Sequence, residues 1–145
     1  MDIIMKKHKC KPEDLLSKDG LKTTRKRLAV LEAIIESDEL ISAKDLHERL
    51  SHTVKIDLAT VYRILRTLHE NGAIRSIKGQ SKIELFEVAC QHNQLHPHFY
   101  CKVCGRNVCL EPLYFDSLKT LFLLSGGHDV ESMDIAFTGI CAQCK

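Results

Sequence analysis

The chain has 145 residues, 44% hydrophobic and 28% charged, with 21 Lys and Arg against 19 Asp and Glu. That length and composition describe one ordinary folded domain or two small ones, and exclude a disordered or collagen-like chain. No apolar run approaches the about 18 residues needed to cross a bilayer. The first residues, MDIIMKKHKCKPEDLL, lack the apolar core of a signal peptide. The expectation is a cytoplasmic protein with no membrane partner, whose seven cysteines stay reduced and bind metal or do redox chemistry.

Charge and cysteine are unevenly spread. Residues 1–90 carry 17 Lys and Arg against 14 Asp and Glu, whereas residues 91–145 carry 4 against 5; before position 90 the only cysteine is Cys10. This pattern predicts a basic front domain over 1–88, a hinge over 89–95 and a cysteine-rich domain over 96–145.

In chain order, Pro12 and Gly20 bracket a short helix over 12–19. Thr24 caps a second helix with Leu28, Leu31, Ile34 and Ile35 on its inner face. Ser42 caps a third, AKDLHERL, which carries Leu46 and Leu50 inward. Asp57 caps a fourth, in which Leu58, Val61, Leu65 and Leu68 recur at helical spacing up to Asn71-Gly72. AIRSI and KIELFEV then read as two strands around the turn KGQS. Helices followed by such a hairpin make a winged helix-turn-helix, and the chain as a whole reads as α+β.

On the fourth helix the inward set leaves Ala59, Thr60, Tyr62, Arg63 and Arg66 outside. Small residues and a hydroxyl at the helix start allow close approach to base edges, while an aromatic ring and two arginines reach a thymine methyl, base acceptors or phosphates. An amphipathic helix with a merely solvated face has the same periodicity. The basic cluster Lys22, Arg25, Lys26 and Arg27, with Arg75 and Lys78 on the wing, favours DNA.

The back half contains two CxxC turns, Cys101-Lys-Val-Cys104 and Cys141-Ala-Gln-Cys144. Each presents two thiolates from one knuckle, and two knuckles supply the closed tetrahedral sulfur shell of structural zinc. Gly105 permits the tight turn after the first pair. The 36 residues between the knuckles must hold a helix, over about 112–125 with Leu113, Leu118, Leu121 and Phe122, and a strand over about 129–138. Unrelated core cysteines or a redox dithiol are the alternatives.

A second set of ligand types surrounds the first knuckle: Cys90, His92, His96, His98 and Cys109. His96 and His98 alternate across Pro97, so an extended segment points both to one face. Cys109 lies on the returning strand, and Glu87 and Cys90 end the wing hairpin. A mixed nitrogen–sulfur site of these residues would tie the DNA-reading half to the stapled half, as an effector-controlled switch requires. Taken singly, His92 reads as a loop residue and Cys90 or Cys109 as a small buried apolar side chain. His8, His47, His52, His69 and His128 read as surface or capping residues, and Cys10 as a thiol on a disordered arm with Lys6, Lys7 and Lys9.

These motifs resemble a known family. Asp57-Leu-Ala-Thr-Val-Tyr-Arg63 resembles the recognition-helix signature of the ferric uptake regulator superfamily. His96-Pro-His98-Phe-Tyr-Cys101-Lys-Val-Cys104-Gly105 is similar to its histidine-rich strand and first zinc knuckle, and Gly139-Ile-Cys141-Ala-Gln-Cys144 to its second. Leu21-Lys-Thr-Thr-Arg-Lys-Arg27-Leu28 resembles its first DNA-domain helix. The resemblance runs from about residue 20 to 144.

It implies a homodimeric, metal-responsive repressor of metal-homeostasis genes, with an N-terminal winged helix and a small C-terminal α/β dimerisation domain. It implies structural zinc at Cys101, Cys104, Cys141 and Cys144, and a regulatory metal at His96 and His98. A family carboxylate falls on Cys109. The acidic ligand at the wing's end falls near Glu87, with Cys90 close by. A hinge ligand falls near Glu39, and a histidine of an accessory site falls on Met133. Cys109 and Cys90 make the regulatory shell softer than one suited to iron or manganese, and so favour zinc and a zinc uptake regulator. An iron-responsive or peroxide-sensing member is the alternative. The dimer would read a palindromic, AT-rich operator. Thr60, Tyr62 and Arg63 would lie over the bases, with Lys22, Arg27, Arg66 and Lys78 on phosphates. No nucleophile–base pair or phosphate loop marks an enzyme. A thiol redox protein lacks the expected βαβ context here, and a DNA-binding protein with structural zinc alone would ignore loss of a second metal.

Overall fold

The computed structural model describes residues 10–18, 20–37, 39–78, 82–90, 93–130 and 133–145, apart from the side chains at 115, 117, 118 and 122. The chain forms two units, one ending at Gln94 and the other starting at Leu95. His8, His92 and the last three residues of the turn KGQS, 79–81, lie outside the described residues.

The first unit begins with α1 (Pro12–Lys18), anchored by the fully buried Leu16. The positive φ of Gly20 then turns the chain toward α2 (Arg25–Ile35). The Thr24 hydroxyl accepts the Arg27 N–H at 3.2 Å, which satisfies a donor that the helix itself leaves open. Ser42 does the same for Asp45 at the start of α3 (Ala43–Leu50). Asp57 stands at the start of α4 (Leu58–Glu70) but makes no side-chain cap bond, unlike Thr24 and Ser42. Val30, Leu31, Leu46, Val61, Leu65 and Leu68 meet in one core. Ile64 joins them, whereas Leu58, expected inside, is only half-buried.

Ser42 also belongs to a strand that the sequence does not announce, β1 (Ile41–Ser42). Two residues are too few to show alternation; the strand exists because β3 (Glu84–Val88) offers it a free edge. β2 (Ile74–Lys78) covers the other edge of β3, and the strand order is β1-β3-β2. The wing is thus an antiparallel hairpin in which Ile74 faces Val88, Arg75 faces Glu87 and Lys78 faces Glu84. Three helices packed with this sheet form the winged helix-turn-helix. β3 is central, and its residues from Leu85 to Val88 are all buried, Glu87 included.

The second unit holds β4 (His98–Cys101), β5 (Asn107–Cys109), α5 (Phe115–Leu123) and β6 (Ala136–Gly139). β4 is central, antiparallel to β5 and parallel to β6. A parallel neighbour requires a crossover connection, and the long gap between the knuckles supplies it. α5 is shorter than the helix expected over 112–125, with Leu113 ahead of it. The side chains of Leu118 and Phe122, two of the apolar residues named for that helix, lie outside the described residues. The strand expected over 129–138 is confined to Ala136–Gly139, the stretch with a partner on β4; Glu131 and Ser132 within it are also outside the described residues. The α+β class read from the sequence is borne out.

Candidate metal centres and DNA-facing helix

The first knuckle starts where β4 ends. The Gly105 N–H closes onto the Cys101 carbonyl at 2.9 Å, with Gly105 at φ 72°. In the second knuckle the Cys144 N–H closes onto the Cys141 carbonyl at 2.9 Å. The parallel pairing of β4 and β6 sets Cys101 opposite Gly139, two residues before Cys141, and so brings the knuckles together. The Arg106 guanidinium spans them, donating to the Gln143 side-chain oxygen at 2.8 Å.

All four sulfurs lie within 4.8 Å of one another. The Cys104 and Cys141 sulfurs are 3.9 Å apart, whereas two thiolates on a tetrahedral zinc with Zn–S bonds of ~2.3 Å stand about 3.8 Å apart. Backbone N–H groups of Cys104 and Cys141 bring the Cys101 thiol down to about 6. The neighbouring thiols, Cys141 first, push Cys144 up to about 12. Four thiolates so close repel one another unless a cation sits among them, and a four-sulfur donor set fits zinc.

Around β4 a second cluster forms within the same unit. Register sets His98 directly opposite Cys109. The His96 and His98 rings have centroids 4.6 Å apart. Ligand atoms of His96, His98 and Cys109 lie within 4.8 Å of one another, and all three residues are buried. Burial pushes the Cys109 thiol up, but hydrogen bonds and charge from His96 and His98 outweigh it, and the net shift is downward. Two imidazoles and a thiol poised to ionise form a nitrogen–sulfur donor set that suits zinc and other borderline cations.

Glu87 lies in the first unit, at the end of the wing. Arg75 Nε donates to its Oε1 at 2.9 Å, and the other arm of the guanidinium donates to the Asn93 carbonyl at 2.7 Å. The Asn93 amide in turn donates to the Val88 carbonyl at 2.6 Å. In the sequence Arg75 stands out only as a wing cation, and no motif marks Asn93. The cross-strand register could have linked Arg75 to Glu87.

One expectation needs correction. Cys90, read as a metal ligand, is bonded through sulfur to Cys10, and Cys10 is therefore not a loose arm thiol. Cys90 follows β3 with its side chain packed against the same core that buries α1, and that places it toward Cys10. Glu39, read as a hinge ligand, is exposed and belongs to neither metal-ligand cluster among the described residues. Its carbonyl accepts the Ser37 hydroxyl. Met133, at the altered accessory position, is half-buried.

The outer face of α4 carries Ala59, Tyr62, Arg63 and Arg66, all exposed, with Thr60 half-buried. Arg63 donates to the Thr60 hydroxyl at 3.0 Å, and Arg66 pairs with Glu70 one turn on at 2.9 Å. The Thr60 hydroxyl beside it holds the Asp57 carboxyl below its usual range. Arg27 donates to the Lys22 carbonyl at 2.8 Å, and Lys78 is exposed at the end of β2.

Residues 18–135 match the model of the Ferric uptake regulator family. The chain belongs to that family, whose members are metal-responsive, DNA-binding transcriptional regulators. It is 39% identical to the ferric uptake regulation protein of Escherichia coli strain K12 over 130 residues, 88% of this chain and 86% of the relative. The structure resembles the Vibrio cholerae ferric uptake regulator with a TM-score of 0.70 and 26% identity, covering 89% of this chain and 98% of that one. It resembles holo XcZur with a TM-score of 0.65 and 28% identity, covering 91% and 92%. No helix among the described residues is long and apolar enough to cross a membrane.

Proposed function

We propose that this chain is a zinc-responsive repressor of metal-homeostasis genes, acting in the cytoplasm as a homodimer. The observation that carries the zinc assignment is Cys109. A thiol stands in the buried cluster with His96 and His98, and a sulfur ligand selects zinc over the harder iron(II) or manganese(II). Cys101, Cys104, Cys141 and Cys144 hold a permanent structural zinc, whose charge neutralises their thiolates. His96, His98 and Cys109 hold the exchangeable metal, and the family resemblance supplies Glu87 as its fourth ligand. Arg75 donates to Oε1 of Glu87, a contact that metal binding at this carboxylate would have to accommodate. Glu39 as a further ligand has only the resemblance behind it.

Homodimer formation rests on the family resemblance, and a second copy would cover apolar side chains exposed in the second unit: Tyr114 is 85% exposed, Leu124 77% and Phe137 52%. In the DNA-bound dimer two α4 helices enter successive major grooves of a palindromic, AT-rich operator. Thr60, Tyr62 and Arg63, with Ala59 allowing close approach, read the bases. Lys22, Arg27, Arg66 and Lys78 hold phosphates.

An iron-responsive regulator is the second reading, favoured by the 39% identity to the Escherichia coli ferric uptake regulation protein. Elemental analysis of anaerobically purified protein separates the two. Two zincs per chain, falling to one on mild chelation with loss of operator binding and both restored by zinc, are the expected outcome. One zinc throughout, with DNA binding restored by iron(II), would establish the iron reading instead.

A further inference from the structure

We propose that Cys10 and Cys90 form a reversible redox site of the winged-helix unit, closed by exchange with a low-molecular-weight disulfide such as glutathione disulfide. Of the seven cysteines, four form the sulfur cluster and Cys109 joins the two histidines. Cys10 and Cys90 remain, 80 residues apart in sequence, with their sulfurs bonded to each other.

The bond closes the unit on itself. Cys10 precedes α1, which Leu16 anchors in the core, and Cys90 follows β3, where its backbone bridges to Asn93 just before the unit ends. Both cysteines are half-buried, and neither is fully enclosed in the core. Neither belongs to a metal-ligand cluster among the described residues, and oxidation here need not release metal.

The exchange balances. One cysteine thiolate attacks the glutathione disulfide, forming a mixed disulfide and expelling one glutathione thiolate. The second cysteine attacks the mixed disulfide and expels the other. Two electrons pass from the cysteines to the glutathione disulfide, and the two protons lost by the thiols appear on two glutathione molecules.

Lys6, Lys7, Lys9 and Lys11 flank Cys10 in the sequence. Closing the bond ties the backbone at Cys10, and Lys11 next to it, to the residue two past the end of the wing. On the DNA-binding reading of the previous section, the oxidised protein then engages more phosphates and shows a steeper salt dependence than the reduced one.

The test uses full-length, zinc-loaded protein equilibrated with glutathione couples of graded ratio, quenched in acid, alkylated, digested and mapped by mass spectrometry. The expected result is one linked peptide pair, Cys10 with Cys90, appearing under oxidising ratios and disappearing with excess glutathione at constant zinc content. The variant Cys10→Ser should show no such pair, the same zinc content, and operator binding whose salt slope ignores the glutathione ratio. Alkylation of both cysteines at every ratio, or linkage of Cys90 to any other cysteine, would overturn the redox site. A wild-type salt slope equal in the two states would overturn the tethering role. If the protein bound no DNA at all, the peptide map would still decide the redox site.

Discussion

Replacing Arg75 by Met tests whether the wing is held by its buried ion pair. Arg75 bonds Glu87 at 2.9 Å and the Asn93 carbonyl at 2.7 Å. The Glu87 side chain is 8% exposed and that of Arg75 25%. Removing one partner of a fully buried pair costs about 3–5 kcal/mol, because the other charge is left buried. The partial exposure of Arg75 places the loss near the lower end, and Met retains the aliphatic packing. We expect Arg75→Met to destabilise the metal-free first unit by about 3 kcal/mol, a factor of roughly 100 in its folding equilibrium. The double variant Arg75→Met/Glu87→Met should lose much less than the two single losses combined, with a coupling of about 2 kcal/mol. Urea unfolding followed by circular dichroism measures both, with a constant slope against denaturant as the control for two-state behaviour. A single-variant loss below about 1 kcal/mol, or simple additivity, would show that the pair does not hold the wing.

Three further outcomes are expected. Cys109→Ser should remove the exchangeable zinc and zinc-dependent operator binding while leaving one zinc per chain, read by elemental analysis beside an operator-binding titration; retention of both zincs would remove Cys109 from the ligand set. On DNA, Arg63→Ala should cost about 1–3 kcal/mol and relax base preference near its contact, whereas Lys78→Ala should weaken binding to all sequences alike and lower the salt slope by about 1. Altered base preference in the lysine variant would contradict its place on phosphate. Finally, the Cys101 thiol, lowered to about 6, is already ionised at pH 7.5, so zinc binding by the stripped four-cysteine cluster should release fewer than four protons. Because the thiol is more acidic in the folded protein, the stabilisation from this thiolate is complete above the free-thiol value of 9.0 and lost as pH falls through about 6. Calorimetry in buffers of different ionisation enthalpy counts the protons, and release of all four at pH 7.5 would refute the early ionisation of Cys101.

Local chemistry made most of the first unit legible in the sequence. The caps Thr24 and Ser42, the 3.6-residue spacing of Val61, Leu65 and Leu68, and the Gly20 turn act over a few residues, and each stands where its pattern places it. The CxxC pairs were equally plain, because a knuckle is a local turn. Pairing over long distances decided the rest. Only the parallel register of β4 and β6 brings Cys101 within bonding reach of Cys141 and limits the last strand to Ala136–Gly139. Only β3 makes a strand of Ile41–Ser42. The fates of Cys90 and Glu87 show the limit most sharply. A cysteine beside a histidine-rich segment reads as a ligand in sequence, yet its sulfur bonds to Cys10, 80 residues away. A wing carboxylate reads as free to bind metal, yet Arg75 from the neighbouring strand already holds one of its oxygens. Spacing along the chain reveals what a residue can bind, and tertiary packing sets which partners come within a few ångströms of it.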